Sequence, residues 1–374
     1  MTLNRRQFLG SSLPLLALGA QSSAQPAPEG QLVLLGGDSL PRSPADYAAR
    51  LQELLQGRAK VTDSYLAGGA VAELEAKFSA LLGKEDTVFM PTGTLANHIA
   101  LRLLCGEARH ALVQQESHVY RDESNAVTTL SGINLVPLAP GRAAPSLAEV
   151  AEAIERAEVG PYPLKVGAIS LESPVRRAQG ATLPPALVGE IAQLARSKRI
   201  PLHLDGARLL LMSGMDGFRV KSYCEPFDTV YVSLYKYLGA PFGGVLSGSK
   251  ALMAKARELR HLFGGALYNG WEAALPALAA LDGAEQRFAA VRAAGERLLA
   301  ALEATPGYKV RRIPHGSNIA VLEMAPERAA GLEERLAQAQ LRIRPVRNNQ
   351  VELYFNETLL RRDPAAIAAV FRGV

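Results

Sequence analysis

The sequence predicts an α/β protein with a largely parallel sheet, followed by a smaller C-terminal α+β unit. Three observations predict it. From Leu32 onward, short β-rich apolar runs alternate with amphipathic helical stretches. Beyond Trp271 that alternation gives way to a long Ala/Leu/Arg-rich helical stretch, then to strand, strand, helix, strand, strand. Finally, 48% of the 374 residues are hydrophobic and 21% charged, which supplies a sizeable core and excludes a disordered chain.

Taken in order, Asp46–Leu55 and Val71–Leu82 read as amphipathic helices, the second with Leu74, Phe78 and Leu81 at helical spacing. Thr87–Met90 is a strand and Thr94–Leu104 a helix. Ala111–Val113 and Leu135–Leu138 are strands, Leu147–Arg156 a helix, Val166–Leu171 a strand and Leu187–Ser197 a helix. Ile200–Asp205 and Thr229–Leu234 are further β-rich runs. Helix then runs from about Glu272 to Glu303. After Pro306-Gly307 come Lys309–Ile313, Asn318–Met324, the helix Glu327–Gln338, Leu341–Val346 and Val351–Phe355, with a last helix over Pro364–Phe371. The expected division is a large domain over 31–275 and a small one over 276–374.

The first 24 residues read as an address. Arg5-Arg6-Gln7-Phe8-Leu9 precedes a short apolar stretch from Ser11 to Ala20, and Ser22-Ser23-Ala24 offers a small-residue cleavage site. The pattern resembles a twin-arginine export signal, so the mature protein is expected in the periplasm or another extracytoplasmic space, with 25–30 as a linker. The apolar stretch is shorter than the ~20 residues a membrane span needs. The net charge is +5; removal of Arg5 and Arg6, with no acidic residue in the segment, leaves +3. The other basic residues fall in scattered doublets such as Arg176-Arg177, Arg311-Arg312 and Arg361-Arg362, so no nucleic-acid partner is expected. Two cysteines, Cys105 and Cys224, exclude a disulfide scaffold and a four-cysteine zinc site. In an oxidising compartment they could pair, but they lie far apart in sequence, and two separately buried thiols is the preferred reading.

Four points carry chemistry. Pro91-Thr92-Gly93-Thr94 joins a strand to a helix. It is either an anion cradle of exposed amides or a glycine turn with a threonine cap. His118 follows a strand and is either a group lying on an aromatic cofactor or a hydrogen-bonded, partly buried histidine. In His203-Leu204-Asp205-Gly206-Ala207-Arg208, alternation points His203 and Asp205 to one face. Asp205 ends an apolar strand and needs a cationic partner. Arg208 is one candidate and a protonated ring nitrogen another. Lys236 follows the run Thr229–Leu234 and is followed by Gly239, Pro241 and Gly243-Gly244. Partial desolvation there would lower its pKa and favour Schiff-base chemistry; the alternative is a lysine whose head reaches the surface. All four follow predicted strands, where an open α/β sheet places its ligand crevice. A phosphate cradle, a ring-covering group, an acid for a ring nitrogen and a Schiff-base lysine are the parts that pyridoxal phosphate needs.

These pieces resemble the aromatic amino acid β-eliminating lyase/threonine aldolase family of fold-type I pyridoxal-phosphate enzymes. The matching residues are Met90-Pro91-Thr92-Gly93-Thr94-Leu95-Ala96-Asn97, Ser117-His118, Leu204-Asp205-Gly206-Ala207-Arg208, Lys236 with Leu238-Gly239-Ala240-Pro241, and Phe263-Gly264-Gly265. The resemblance spans roughly 36–275. It implies a large domain with a mostly parallel seven-stranded sheet. It also implies that Lys236 carries the cofactor, Asp205 keeps the pyridine nitrogen protonated and His118 stacks on the ring. Gly93 and Thr94 would bind phosphate through their amides, with the Ser233 hydroxyl in support. Arg208 would lie near the ring oxygen or the substrate carboxylate, and Glu123 stands near a family carboxylate.

The implied activity is lyase action on a small-molecule amino acid. Retro-aldol cleavage of a β-hydroxy amino acid leads; the alternatives are β-elimination, racemisation, or cofactor binding with little catalysis. The implied assembly is a homodimer or homotetramer. No metal is expected. The chain also departs from the family pattern. Tyr235 and Tyr237 flank the lysine where threonine aldolases usually have Ser and Gly. Gly264-Gly265-Ala266-Leu267-Tyr268-Asn269 lacks the usual arginine, and Gly36-Gly37-Asp38-Ser39 replaces Arg-Ser-Asp-Thr. Arg344 and Arg347 are candidates for the missing carboxylate clamp. These departures put threonine itself in question as the substrate.

Overall fold

The computed structural model describes residues 32–159 and 161–373. The export-signal and linker segments over 1–30 lie outside them. Twelve strands are described: β1 Val33–Leu35, β2 Asp86–Met90, β3 His110–Gln114, β4 Asn134–Leu138, β5 Val166–Glu172, β6 Leu202–Asp205, β7 Thr229–Ser233, β8 Gly244–Gly248, β9 Tyr308–Arg312, β10 Ile319–Met324, β11 Leu341–Ile343 and β12 Gln350–Tyr354. The central sheet has seven strands in the order β2-β8-β7-β6-β5-β3-β4. Only β8 runs against its neighbours; the rest are parallel. The fold is therefore α/β with a mostly parallel seven-stranded sheet, as the sequence leads one to expect.

The register of this sheet explains its two unlike faces. Ser170 pairs with His203 and Glu172 with Asp205 across β5 and β6. His203 pairs with Thr229 and Asp205 with Tyr231 across β6 and β7. Paired residues point to the same face. One face therefore carries the row Glu172, Asp205, Tyr231 at the carboxyl ends, with Ser170, His203 and Thr229 one step behind it. The other face carries Ile169, Leu171, Leu202, Leu204, Val230 and Val232, all in the main apolar core. The helix Gly93–Cys105 packs across β5, β6 and β7 and shows the sheet Ala96, Asn97, Ile99 and Ala100, all buried. An amide is tolerated in that buried layer because the sheet offers it polar partners.

The C-terminal part has its own core. β12-β10-β9 form an antiparallel sheet, and the helix Ala284–Glu303 contributes Leu298, Leu299 and Leu302 against it. β1 pairs in parallel with β11, and Val33 and Leu35 are buried in this same core. The chain thus starts its described course in the C-terminal core and then crosses to build the large sheet.

Three local expectations change. The single helical stretch over 272–303 is two helices, Trp271–Leu281 and Ala284–Glu303, because Gly283 takes a left-handed φ of 67° that a continuing helix does not permit. The helix expected over 327–338 is likewise split into Pro326–Ala329 and Leu332–Gln338, with Gly331 at φ 63° between them. β8 and the helix Lys250–Leu262 after it have no counterpart among the expected elements. Glycines at both ends of β8 weaken its strand signal. The structure needs one of them: a Cβ at Gly244 would come within 2.8 Å of the Val232 carbonyl oxygen.

Candidate active site

A cleft of about 350 Å³ opens at the carboxyl ends of the parallel strands, lined among others by Gly93, Thr94, His118, Asp205, Arg208 and Lys236. Gly93, Thr94, His118, Asp205, Arg208 and Lys236, all named from the sequence, thus meet in one place. Ser233, fully buried at the end of β7, and Glu123, buried behind His118, are not part of the cleft wall. A larger recess of about 540 Å³ shares Tyr235 and Pro241 with the cleft but has no lysine, histidine or aspartate in its lining, so chemistry and not size selects the cleft.

Lys236 lies in the turn after β7, half-buried. Burial pulls its amine below the usual lysine range, and the Arg208 guanidinium pulls in the same direction. Asp205, Asp38 and Glu172 oppose them. Asp205 accepts hydrogen bonds from Asn97 Nδ2 at 2.8 Å and from the Ala207 amide at 3.1 Å. Its expected alternative partner, Arg208, instead pairs with Asp38, with Nε at 2.9 Å and Nη2 at 2.8 Å from Oδ2. Among the described residues Asp205 thus forms no ion pair at contact distance, although its charge is felt by Lys236, His118 and Arg208 around the cleft.

His118 opens a one-turn helix, His118–Arg121. Its Nδ1 lies 2.8 Å from Glu123 Oε1, which also accepts from Asn97 Nδ2 at 2.8 Å. The hydrogen bond to Glu123 raises the pKa of His118. His118, Glu123 and Asp205 bring ligand-type atoms within 4.8 Å of one another, but each is already hydrogen-bonded within the chain.

The helix start has the character of an anion site. Thr92 is the cap, its Oγ1 accepting from the Leu95 amide at 3.2 Å. The amides of Gly93 and Thr94 have no acceptor among the described residues. A Cβ at Gly93 would collide with the Tyr231 hydroxyl. Burial pushes the Tyr231 phenol well above its usual range, while the neighbouring Ser233 hydroxyl pulls the other way, and neither hydroxyl has any further partner among the described residues. A phosphate at this helix start would be met by the unpaired amides, with the Tyr231 hydroxyl beside them. The unpaired Gly93 and Thr94 amides, the Asp205 carboxylate without an ion pair among the described residues, and the desolvated Lys236 fit pyridoxal phosphate.

Two further acidic groups belong to the site. Glu172 lines the cleft, and burial, with the nearby Asp205 charge, pushes its carboxyl up to about 7. It accepts the His118 amide at 2.6 Å and the Arg176 amide at 2.9 Å. A sequence signal exists for it, since Glu172 ends an apolar strand as Asp205 does. Asp38 is the other, and its role as the partner of Arg208 has no local signal. Arg344 and Arg347 line a separate recess. Arg344 is committed there to Glu352 at 2.7 Å and to the Tyr354 hydroxyl at 2.8 Å. Cys105 and Cys224 are both free and buried, and burial pushes each thiol up to about 12.

The profile of the β-eliminating lyase family matches residues 49–325, about three quarters of the chain. The chain belongs to the β-eliminating lyase family. Its relatives include a low-specificity L-threonine aldolase of Candida albicans, 31% identical over 214 residues, covering 56% of each chain. An alanine racemase of Cochliobolus carbonum is 32% identical over 206 residues, covering 53% of this chain and 51% of that one. The matches span 50% to 60% of the length of these curated relatives. In fold, the chain is similar to the threonine aldolase of Leishmania major, with a TM-score of 0.70 and 18% identity over 91% of this chain and 98% of that one. Among the described residues, no helix is long and apolar enough to cross a membrane.

Proposed function

We propose that this family member is a pyridoxal-phosphate-dependent lyase that cleaves a β-hydroxy amino acid to glycine and an aldehyde. The observation that carries the reading is the pairing of Arg208 with Asp38, which leaves Asp205 without an ion pair among the described residues at a cleft that also holds Lys236. When bound, pyridoxal phosphate supplies an electron sink for a carbanion at the substrate Cα.

The chain's own residues do the rest. The amides of Gly93 and Thr94 bind the phosphate at the helix start. Asp205 holds a proton at the ring nitrogen, and Arg208, fixed by Asp38, keeps a positive charge at the cleft wall. The depressed pKa of Lys236 enlarges the fraction of its amine that is an uncharged nucleophile. With Nδ1 of His118 committed to Glu123, Nε2 is the nitrogen left to move a proton.

The threonine aldolase relatives favour aldol cleavage. The racemase relative keeps racemisation as the second reading, because both begin by breaking a bond at Cα. A panel of amino acids offered to the holoprotein separates the outcomes. Aldehyde with glycine supports the aldolase reading. Ammonia with pyruvate means β-elimination, and loss of optical activity without cleavage means racemisation. Bound cofactor with no turnover of any kind overturns the enzyme reading.

We also propose export through the twin-arginine route, on the strength of Arg5-Arg6 and the segment behind it. Arg5→Lys with Arg6→Lys should hold the protein in the cytoplasm on cell fractionation; an unchanged distribution would sink the idea. The proposed assembly, a homodimer or homotetramer, is read by gel filtration.

A further inference from the structure

Asn97 occupies the centre of the polar layer between the helix Gly93–Cys105 and the sheet, 1% exposed. Three contacts determine its amide orientation. One end lies 2.8 Å from Asp205 Oδ2 and 2.8 Å from Glu123 Oε1. Only an NH₂ group serves two carboxylates, so this end is Nδ2. Oδ1 therefore faces His203 Nε2 at 3.0 Å, and that nitrogen carries a hydrogen. Burial holds the fully buried His203 down to about 4, so the ring is neutral. Its Nδ1 then accepts from Thr229 Oγ1 at 2.9 Å. The two carboxylates orient the amide, and the contacts from His203 and Thr229 are consistent with that orientation.

The consequence is a continuous hydrogen-bonded line. It runs from His118 Nδ1 to Glu123 Oε1, to Asn97 Nδ2, to Asp205 Oδ2. A cation in the place of Asn97 would tie the same groups together, but it would neutralise the carboxylate that the ring nitrogen needs. A neutral amide orients both acids and leaves their charge in place.

We propose that Asn97 is a positioning residue for the cofactor, bonding Asp205 and Glu123 with one amide so that the acid at the ring nitrogen and the histidine over the ring are held in register. This rests on the pyridoxal-phosphate reading of the cleft, and the experiment separates the two.

Cofactor is titrated into apo wild type, Asn97→Ala, Asn97→Asp, Glu123→Gln and the Asn97→Ala/Glu123→Gln pair, following both affinity and the position of the visible absorption maximum. The expected result for either Asn97 variant is a dissociation constant at least ~10-fold higher, the equivalent of one lost hydrogen bond to a charged group, together with a displaced maximum. The paired variant should fall short of the sum of the two single losses, because both break the Asn97–Glu123 bond, while Glu123 also holds His118 directly. Asn97→Asp keeps the shape of the side chain and decides the question if Asn97→Ala fails to fold. Wild-type affinity and an unmoved maximum in Asn97→Asp overturn the proposal. So does weakened binding with an unmoved maximum, which is what a loosened fold alone would produce, and so do additive effects in the pair. A wild type that binds no pyridoxal phosphate sinks both readings, whereas a normal wild type with indifferent Asn97 variants sinks this one only.

Discussion

Lys236→Ala is expected to abolish turnover, by at least ~10³-fold, and to remove the visible band that pyridoxal phosphate shows on the wild type. Among the described residues, the lysine supplies the only side-chain amine that lines the cleft, so no neighbour replaces it in bonding the cofactor aldehyde. The loss should not come with unfolding. The amine is half-buried and its charge is disfavoured first by burial and then by Arg208. Taking it away relieves burial and the Arg208 repulsion at the loss of attraction from Asp205, Asp38 and Glu172; because the net effect on its charge is unfavourable, the apo variant should melt no earlier than apo wild type. A thermal scan and an absorption spectrum check both halves. A Lys236→Ala protein that keeps the wild-type visible band would end the assignment of this residue.

Asp205→Asn should lower kcat by about 10²–10³-fold, the scale seen when one preorganised electrostatic group is removed from a reacting centre, while cofactor affinity falls far less. Phosphate and lysine contacts would still hold the cofactor, but no carboxylate would remain to keep a proton at the ring nitrogen. A structural cost accompanies this. Asp205 accepts from both the Asn97 NH₂ group and the Ala207 amide, so the introduced side-chain amide would turn an N–H toward one of these two donors. An unmatched buried donor costs about 1–3 kcal/mol, readable in a denaturant titration. Equal losses in kcat and in cofactor affinity would argue that Asp205 serves binding and not the chemistry.

Much of this site is legible in the chain because its signals are local. Gly93 between a strand and a helix, Asp205 at the end of an apolar strand and Lys236 after another are each marked by a residue type that its own neighbourhood makes expensive. Glu172 bears the same mark and is found by the same rule, once the strand is followed one residue past Leu171. Asp38 and Tyr231 are different. Asp38 is 170 residues from Arg208 in the chain, and nothing around it announces a partner. Tyr231 sits inside an ordinary β-rich run, and its importance emerges only where its hydroxyl meets the Gly93 turn.

The same divide runs through the fold. The alternation of short apolar strands and amphipathic helices determines an α/β architecture, because each period buries one kind of surface and few layer arrangements satisfy both. The order of the strands is another matter. β8 runs antiparallel between β2 and β7, and β1 leaves the large sheet for the C-terminal core. Both are settled by long-range packing that no stretch of ten residues encodes. Register is the decisive case. The sequence by itself put Asp205 at a strand end with its side chain on the face opposite Leu204. Only the tertiary structure set Glu172 and Tyr231 beside it in one row and laid Asn97 across that row. Hydrogen bonds between strands align residues that the sequence keeps tens of positions apart, and the site exists because of that alignment.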